Sequence, residues 1–196
     1  MNTLEKNRQN KPKISIDKMH LAAIGENMVL SHLMQNGWSA FNANISIKNY
    51  KSIDILCTHY DLKESDGYRP KTAFIQVKTS VDKSFPVGFN IGDCLDLEIL
   101  KSKIIGPYVF VYIDKNTWDY RYFILSREEV IKLAYESHVW YIHKWNRSKP
   151  IKLTNPAALS LRWLEGIGEN ENLKHESFNN FLNLNSSENK WNKIWL

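Results

Sequence analysis

Two short stretches decide the fold: residues 52–57, SIDILC, and residues 74–79, FIQVKT. Successive side chains of a β-strand point to opposite faces of the sheet, so residues two apart share a face. Apolar residues alternate in this way in both stretches: Ile53, Ile55 and Cys57 in the first, and Ile75 and Val77 in the second. The opposite faces carry Asp54 in the first stretch and Gln76 and Lys78 in the second. Both stretches are therefore predicted to be strands with polar residues in the middle of an otherwise apolar element.

A helix is predicted before these strands, over about residues 17–36. Asp17 is a suitable N-cap, and Gly37 follows where a left-handed residue commonly ends a helix. At about 100° per residue, Glu26 lies on the same face as four apolar residues: Ala22, Val29, Leu30 and Leu33. The opposite, solvent-facing side is marked by three polar residues: Asn27, Ser31 and Gln35. Glu26 is therefore predicted to lie in the middle of the core-facing stripe, where an ionised carboxylate needs a partner.

The four polar side chains Glu26, Asp54, Gln76 and Lys78 would converge if the two strands pair as antiparallel neighbours. Such a cluster suits one hard divalent cation, because Mg²⁺ takes oxygen ligands. The predicted ligands are the Asp54 carboxylate, the Gln76 amide oxygen, the Val77 backbone carbonyl and Glu26, directly or through water. Lys78 would orient or deprotonate the attacking water and stabilise charge on a phosphate. Mn²⁺ is the expected substitute for Mg²⁺.

The rest of the pattern predicts an α/β fold. Strands are predicted over residues 38–47, 52–58, 72–79, 108–113 and 118–125, and helices over 94–105 and 130–136. Residues 80–92, rich in Pro, Gly and Asn, are predicted to be irregular, 138–145 are a candidate strand, and 157–164 a short helix. The capping box Ser126–Glu129 precedes the third helix. The predicted order is helix, three strands, helix, two strands and helix, around a central mixed sheet of about five strands.

Three segments are predicted from the composition along the chain. Residues 1–16 hold four basic residues against one acidic residue and show no apolar period, which indicates a flexible basic arm. Residues 17–164 form the predicted α/β domain. Residues 165–196 form an Asn-rich, aromatic C-terminal extension, too apolar for a pure linker, which is expected either to pack back on the domain or to bind a partner.

Composition narrows the class of protein. The chain of 196 residues, 43% of them hydrophobic, has ample material for a packed core. No apolar run reaches the roughly 18–20 residues that a membrane span needs, and the N-terminus lacks the apolar core of a signal peptide, so the cytoplasm is the expected location. Cys57 and Cys94 are predicted to be core thiols. The net charge of +5 mildly favours a polyanionic partner.

These residues resemble the PD-(D/E)XK nuclease superfamily, which includes restriction endonucleases and Holliday-junction resolvases. The resemblance rests on three motifs in the expected order: Gly25-Glu26, Ser52-Ile53-Asp54 and Gln76-Val77-Lys78. It covers about residues 17–125 and implies a restriction-endonuclease-like core of αβββαβ order. It also implies Mg²⁺-dependent hydrolysis of DNA in restriction, repair or mobile-element defence, with Asp54 and Gln76 as metal ligands and Lys78 as the catalytic lysine.

Two positions depart from the pattern of that superfamily. Ile53 stands where Pro is usual, a change without expected consequence. Gln76 stands where Asp or Glu is usual, which removes one negative charge from the metal site. Some active families carry Gln there, and Glu26 would then supply the charge as a ligand. The same substitution is equally expected in a member of the fold that has lost activity, so a catalytically inactive nucleic-acid-binding or assembly module is the alternative function.

Plainer interpretations exist for each residue of this site. Glu26 and Lys78 would form a buried structural salt bridge, Asp54 would cap a turn, or Gln76 and Lys78 would lie on the solvated face of an edge strand. A third function, an interaction protein that uses residues 165–196 to bind a partner, also remains open at this point.

Basic residues outside the site are candidates for contacts with DNA. Arg69 and Lys71 precede the predicted third strand, and Lys144 and Arg147 belong to an aromatic and basic run over residues 140–149. Such a run can stack bases and hold phosphates, although an amphipathic strand followed by a basic turn explains it equally well. Many proteins that resemble this class dimerise to cut both strands, so a homodimer is a further expectation.

Overall fold

The computed structural model describes residues 17–45, 53–60, 70–144, 150–166 and 186–196. The predicted basic arm, residues 1–16, lies outside the described residues. In chain order the helices and strands are α1 Lys18–Gln35, β1 Ser39–Asn42, β2 Ile55–Tyr60, β3 Pro70–Ser80, β4 Ser84–Asn90, α2 Leu97–Lys103, β5 Tyr108–Ile113, β6 Tyr120–Leu125, α3 Arg127–Lys144, β7 Pro156–Ser160 and α4 Leu161–Leu164. Short 3-10 helices cover Ala43–Ile45, Asp93–Leu95 and Trp191–Trp195.

The central sheet has five strands in the order β1-β2-β3-β5-β6. β2 is antiparallel to both β1 and β3, β3 and β5 are parallel, and β5 and β6 are antiparallel. A parallel pair needs a crossover connection, and α2 lies within the segment that joins β3 to β5. The predicted α/β class, the mixed five-stranded sheet and the αβββαβ order of its elements are confirmed. The antiparallel pairing of β2 with β3, which the predicted site requires, is present as well.

Alternation along the strands gives the sheet two apolar faces. On the first face, α1 packs through Val29 and Leu33 against Ile75 of β3. On the second face, residues of β4, α2, α3 and β7 cover Phe110 of β5 and Phe123 of β6. Cys57 and Cys94 are buried free thiols, as predicted.

A second, two-stranded sheet shows that the predictions for residues 80–92 and 157–164 are wrong. β4 and β7 pair antiparallel with Phe85 opposite Leu159, and the register is irregular between Pro86 and Asn90. Phe85 is buried, whereas Pro86 and Gly88 are exposed. Pro lacks an N–H and Gly has no side chain to pack, so both weaken the local strand signal. Of the predicted helix 157–164, only the single turn of α4 forms.

The candidate strand over residues 138–145 is also wrong, because α3 continues through Lys144. Buried positions recur along α3 at helical spacing, among them Val130, Ala134 and His138. This tertiary packing outweighs the strand preference of the β-branched and aromatic residues 139–142. The predicted capping box is confirmed, because the backbone N of Ser126 donates to the Glu129 carboxylate at 2.9 Å.

Two predicted elements are shorter than expected because side chains turn the chain. β1 ends at Asn42, whose Oδ1 accepts from the backbone N of Asn44 at 2.8 Å, and a 3-10 helix follows over Ala43–Ile45. Residues 46 and 47 of the predicted strand lie outside the described residues. α2 begins at Leu97, because Asp96 caps it by accepting from the backbone N atoms of Glu98 and Ile99.

Residues 186–196 pack on the domain, which was one of the two outcomes expected for the C-terminal extension. The carbonyl oxygen of Ser187 accepts from the backbone N of Ile124 at 2.9 Å, so the segment lies along the edge of β6. Trp191 stacks on His32 of α1 with 4.1 Å between ring centroids, and Ile194 is buried. An uncovered strand edge invites association with other chains, and this segment covers part of it.

Three ion pairs, called the tail anchor below, lie where this segment meets the domain, and two of them involve its own residues. Arg121 of β6 pairs with Glu165 at 2.6 Å and with Glu188 at 2.7 Å. Lys193 pairs with Glu129 at 2.7 Å.

None of the described helices has the length and apolar character to cross a membrane.

Candidate active site

The Asp54 carboxylate is docked against β3 at the start of β2. The backbone N of Asp54 donates to the Ile75 carbonyl oxygen at 2.9 Å, and β2 begins at the next residue. One carboxylate oxygen, Oδ2, accepts from the backbone N of Val77 at 2.7 Å and also from the Gln76 Nε2. The carboxylate therefore bonds to the neighbouring strand rather than to a local turn, so the turn-capping interpretation of Asp54 is wrong.

Gln76 and Lys78 lie on the second face of β3, as their spacing predicted. β3 is an interior strand between β2 and β5, so the edge-strand interpretation of these two residues is wrong. Gln76 is buried. Burial lowers the pKa of Lys78, while the charges of Asp54 and Glu26 act in the opposite direction. The ammonium is thus costly to keep charged there, and two carboxylates lie close enough to favour its charged form.

The backbone of β4 passes close to the Lys78 ammonium. Gly88 has a φ of +91°, and a Cβ added there would lie 3.9 Å from the Lys78 Nζ. A residue with a side chain would be strained in that conformation and would also fill the space beside the ammonium. Gly88 therefore keeps this side of Lys78 open.

Glu26 reaches the site from α1, which lies on the opposite face of the sheet from Gln76 and Lys78. Burial raises the pKa of Glu26, and the charge of Asp54 raises it further; hydrogen bonds from Asn42 and Asn44 and the charge of Lys78 lower it. The influence of both Asp54 and Lys78 on this pKa shows that the three charges share one environment. No ion pair joins Glu26 to Lys78 among the described residues, so the structural salt bridge is absent.

The position of Glu26 on α1 needs one correction. The buried residues of the helix are Gly25, Val29 and Leu33, and Glu26 is half-buried beside them rather than in the middle of the stripe. Ala22, predicted to share the buried face, is exposed. A Cβ added at Gly25 would lie 1.7 Å from the Thr79 Oγ1, so α1 touches β3 at a place that only glycine allows. This close contact brings the next residue, Glu26, towards the site.

Two asparagines that sequence reasoning missed connect the carboxylates. The Asn42 Nδ2 donates to the Glu26 Oε2 at 3.3 Å, and the Asn44 Nδ2 donates to the Asp54 Oδ1 at 3.2 Å. The Asn44 Oδ1 is buried without a hydrogen-bond partner in the structure. A local signal exists, since the stretch 41–44, FNAN, places two strand-disfavouring residues two apart in a predicted strand.

Two carboxylates are the groups of this site that could hold a hard divalent cation. Carboxylate oxygens come from Asp54 and Glu26, and the buried Asn44 Oδ1 lacks a partner. The backbone groups of Val77 face β2, because its N–H donates to Asp54 while the backbone N of Gln76 donates to Pro107 on the other side. Within the described residues, no group of three or more His, Cys, Asp or Glu is arranged to hold a metal. Amide and backbone oxygens would therefore complete a ligand set that two carboxylates begin.

Of the four basic residues proposed for DNA contacts, Lys71 is the one whose side chain the structure describes, and it does not lie at this site. Lys71 is exposed on β3, seven residues before Lys78 and so on the opposite face, about 23 Å away along the strand. Arg69 and Arg147 lie outside the described residues. Lys144 is the last residue of α3, and its side chain is likewise outside what the structure describes.

An exposed apolar stripe lies beside the site on the second face. Phe41, Leu56 and Phe74 are opposite one another on β1, β2 and β3. Phe41 is 59% exposed and Phe74 is 45% exposed. Phe74 shares its face with Gln76, two residues further along β3, so the stripe is adjacent to the Asp54 carboxylate.

Comparison with protein-family models, curated proteins and solved structures gave no match to this chain.

Proposed function

We propose that this protein is a metal-dependent nuclease that hydrolyses phosphodiester bonds of DNA, as its resemblance to the PD-(D/E)XK superfamily implies. One observation carries the proposal. Lys78 lies where burial lowers its pKa and where the charges of Asp54 and Glu26 both act on it. Half-buried opposite charges that form no direct ion pair are typical of sites that act on a further charged group.

Asp54, Glu26 and an amide oxygen are the groups that would hold Mg²⁺ or Mn²⁺. When bound, the ion would offset the negative charge of a phosphodiester and make a neighbouring water more acidic. Gln76 and the backbone N of Val77 fix the orientation of the Asp54 carboxylate. Glu26 supplies the second negative charge, which Gln76 cannot provide.

Lys78 would act on the phosphate and on the attacking water. As an ammonium it stabilises charge that develops on a non-bridging phosphate oxygen. Burial lowers the pKa of Lys78, so an Nζ that has first released its own proton to solvent would accept the proton of the water whose oxygen attacks phosphorus, and would then carry the ammonium charge. A new P–O bond forms, the P–O bond to the leaving sugar oxygen breaks, and that oxygen takes a proton from solvent.

DNA is the proposed partner, and the cytoplasm is the proposed location. The net charge of +5 favours a polyanion. The exposed rings of Phe41 and Phe74 stand beside the site, where bases of an unpaired strand would stack on them. Cutting both strands of a duplex takes two sites, and a homodimer would supply them.

A second candidate function is a catalytically inactive module that binds nucleic acid or supports an assembly. The observation in its favour is that the Gln76 amide donates to Asp54 and adds no negative charge to the site. Such a module would bind DNA in a salt-sensitive manner without a metal, and binding would survive loss of the Lys78 ammonium.

The test is cleavage of linear, circular, single-stranded and branched DNA with Mg²⁺ or Mn²⁺. We expect cleavage that a chelator stops and that Asp54→Ala and Lys78→Ala abolish with the fold retained. Asp82→Ala and Lys115→Ala are matched controls, because Asp82 and Lys115 form an exposed ion pair at 3.8 Å. Both variants should cleave DNA as the wild-type protein does. Absence of cleavage on all four substrates, together with metal-independent binding, would favour the inactive module.

A further inference from the structure

We propose that the site takes DNA with an unpaired strand, and that the apolar stripe Phe41, Leu56 and Phe74 binds this strand by stacking on its bases. This inference rests on the proposed nuclease function, because it names the form of DNA that the site would cut. It has a measurable consequence, since an unpaired strand should bind more tightly than a duplex of the same sequence.

The second face of β1, β2 and β3 carries parallel rows of side chains. The pairing register places Phe41, Leu56 and Phe74 in one row. Two residues along the strands in one direction, the next row holds hydroxyl side chains: Ser39, Thr58 and Thr72. Two residues along in the other direction are Asp54 and Gln76, which share a hydrogen bond. Residues two apart on a strand are separated by about 7 Å, so neighbouring rows are about 7 Å apart.

This spacing brings a base on the stripe within reach of the charged site. A nucleotide is long enough to span one row spacing between its base and its phosphate. Gln76 and Lys78 follow Phe74 along the same face of β3. A base stacked on Phe74 would therefore leave an adjoining phosphate beside Asp54 and Lys78, where hydrolysis is proposed.

The chemistry of the stripe favours unpaired bases. A phenylalanine ring has no hydrogen-bond donor or acceptor and so cannot recognise the edges of base pairs, which are what a duplex presents in its grooves. It can stack on the flat face of a base, and these faces become accessible when the bases are unpaired and splayed out. Phe41 is 59% exposed and Phe74 is 45% exposed, so both rings are open to such contacts.

The charge on this face leads to the same conclusion. Among the described residues that β1, β2 and β3 place on it, Lys78 is the basic one. Proteins that bind duplex DNA gain most of their affinity from several lysines and arginines on the phosphates. The described part of this face thus offers a surface for stacking and few contacts for a phosphate backbone.

A second copy of the chain is a poorer fit to the stripe. A stable interface between proteins needs roughly 800 Å² on each partner. The stripe consists of three partly exposed side chains, bounded on one side by the hydroxyl row and on the other by Asp54 and Gln76. That area is small for a dimer interface, whereas it is sufficient for one or two bases.

The test compares the affinity of the full chain for a short unpaired oligodeoxynucleotide and for a blunt duplex of the same sequence. Fluorescence anisotropy without divalent metal measures both, so that nothing is cut. We expect the wild-type protein to prefer the unpaired strand by about tenfold or more. Phe41→Ala and Phe74→Ala should each weaken binding of the unpaired strand about 5- to 100-fold, with little change for the duplex.

Two further variants separate stacking from other effects. Tyr120→Ala is the matched control, because Tyr120 is 55% exposed and lies opposite Ile113, on the first face of the same sheet. It should bind both forms of DNA as the wild type does. Phe74→Leu keeps apolar bulk without the ring and should lose most of the affinity that Phe74→Ala loses. It also takes the place of Phe74→Ala if that variant fails to fold.

Each outcome decides the proposal. Equal wild-type affinities for the two forms, no binding of the unpaired strand, or alanine variants that bind it as the wild type does would overturn the inference. Cleavage of duplex DNA with Mg²⁺ would then still support the nuclease proposal. A wild-type dimer that dissociates in Phe41→Ala without loss of DNA affinity would assign the stripe to an interface between copies and also contradict the inference.

The reverse failure is distinguishable as well. If the unpaired strand binds through the stripe but is not cut with Mg²⁺ or Mn²⁺, the stripe is confirmed as a surface for bases and the nuclease function is wrong.

Discussion

The candidate site and the tail anchor both gather opposite charges on the same sheet, yet the charges behave in opposite ways. In the tail anchor, hydrogen bonds to Glu188 raise the pKa of Arg121, and the same bonds lower the pKa of Glu188. At the site, burial raises the pKa of Glu26 and lowers that of Lys78. Pairing thus favours the ionised forms in the anchor, and burial disfavours them at the site.

The difference separates a structural cluster from a functional one. Arg121 contacts two carboxylates directly, so its charge is satisfied within the protein. Lys78 and Glu26 are held near each other by the fold without forming an ion pair. A charge that is partly removed from water and has no ion-pair partner in the protein is stabilised when a charged ligand binds beside it. Many catalytic sites contain charges of this kind.

The largest expected effect comes from Lys78→Met, which keeps an unbranched side chain as far as Cε and removes the charged Nζ. We expect the cleavage rate constant to fall about 100- to 1000-fold, because the ammonium no longer acts on the phosphate. Arg121→Met should leave the rate constant within about threefold, since the tail anchor does not contact the site. Equal losses in the two variants, measured in single-turnover assays with Mg²⁺, would contradict the distinction between the two clusters.

The next largest effect is on stability, at Ile194 of the C-terminal segment. This side chain is 3% exposed, and Ile194→Ala should lower the free energy of unfolding by about 3 kcal/mol, as truncation of a buried Ile commonly does. Leu196→Ala, at a side chain 78% exposed, should change it by less than about 0.5 kcal/mol. Urea denaturation measures both. A small effect of Ile194→Ala would show that the segment is not part of the domain core.

Arg121→Met should destabilise the protein by about 1–2 kcal/mol, because Glu165 and Glu188 lose their partner in a partly exposed cluster. Lys78→Met should change the stability of the metal-free protein less, since the cost of burying the ammonium and its attraction to the two carboxylates disappear together. A double-mutant cycle of Arg121→Met with Glu188→Gln in urea isolates the pair. A coupling near zero would mean that this pair contributes nothing.

The smallest expected effect is a loss of stability on acidification. Burial lowers the pKa of both His32 and His138 below the unfolded value near 6.5. The unfolded chain therefore binds more protons in the window just below pH 6.5, and stability falls as the pH falls through it. His32→Phe keeps the stack on Trp191 and removes one titrating group. The decrease in melting temperature between pH 7.5 and 5.5 should be smaller in this variant, and an unchanged decrease would exclude His32 as a contributor.

Much of the fold was predictable because its signals are local. α1 and β3 follow apolar periods that are visible within a few residues, β5 is a continuous apolar run, and a capping box marks the start of α3. β4 was missed because Pro86 and Gly88 interrupt the apparent strand, although Phe85 and Val87 alternate correctly. The second half of α3 was missed because its residues favour strands, and only packing makes them helical.

The site was predictable to the extent that its residues break a local pattern. Asp54, Gln76 and Lys78 interrupt apolar strands, and Glu26 interrupts an apolar helix face, so each attracts attention without any knowledge of the fold. Asn42 and Asn44 also break a strand pattern, but that signal does not tell what Asn44 contacts, which is Asp54 ten positions further along the chain. Whether these residues bind a metal and cleave DNA stays a prediction.

The amino-acid sequence by itself determined which residues share a face, because alternation along a strand and the turn of a helix are properties of neighbouring residues. Only the tertiary structure decided which faces meet. Glu26 and Lys78 come from opposite sides of the sheet, and Arg121 meets a carboxylate 67 positions away. Contacts between distant segments depend on how whole helices and strands pack. The pattern of neighbouring residues in the sequence does not indicate them.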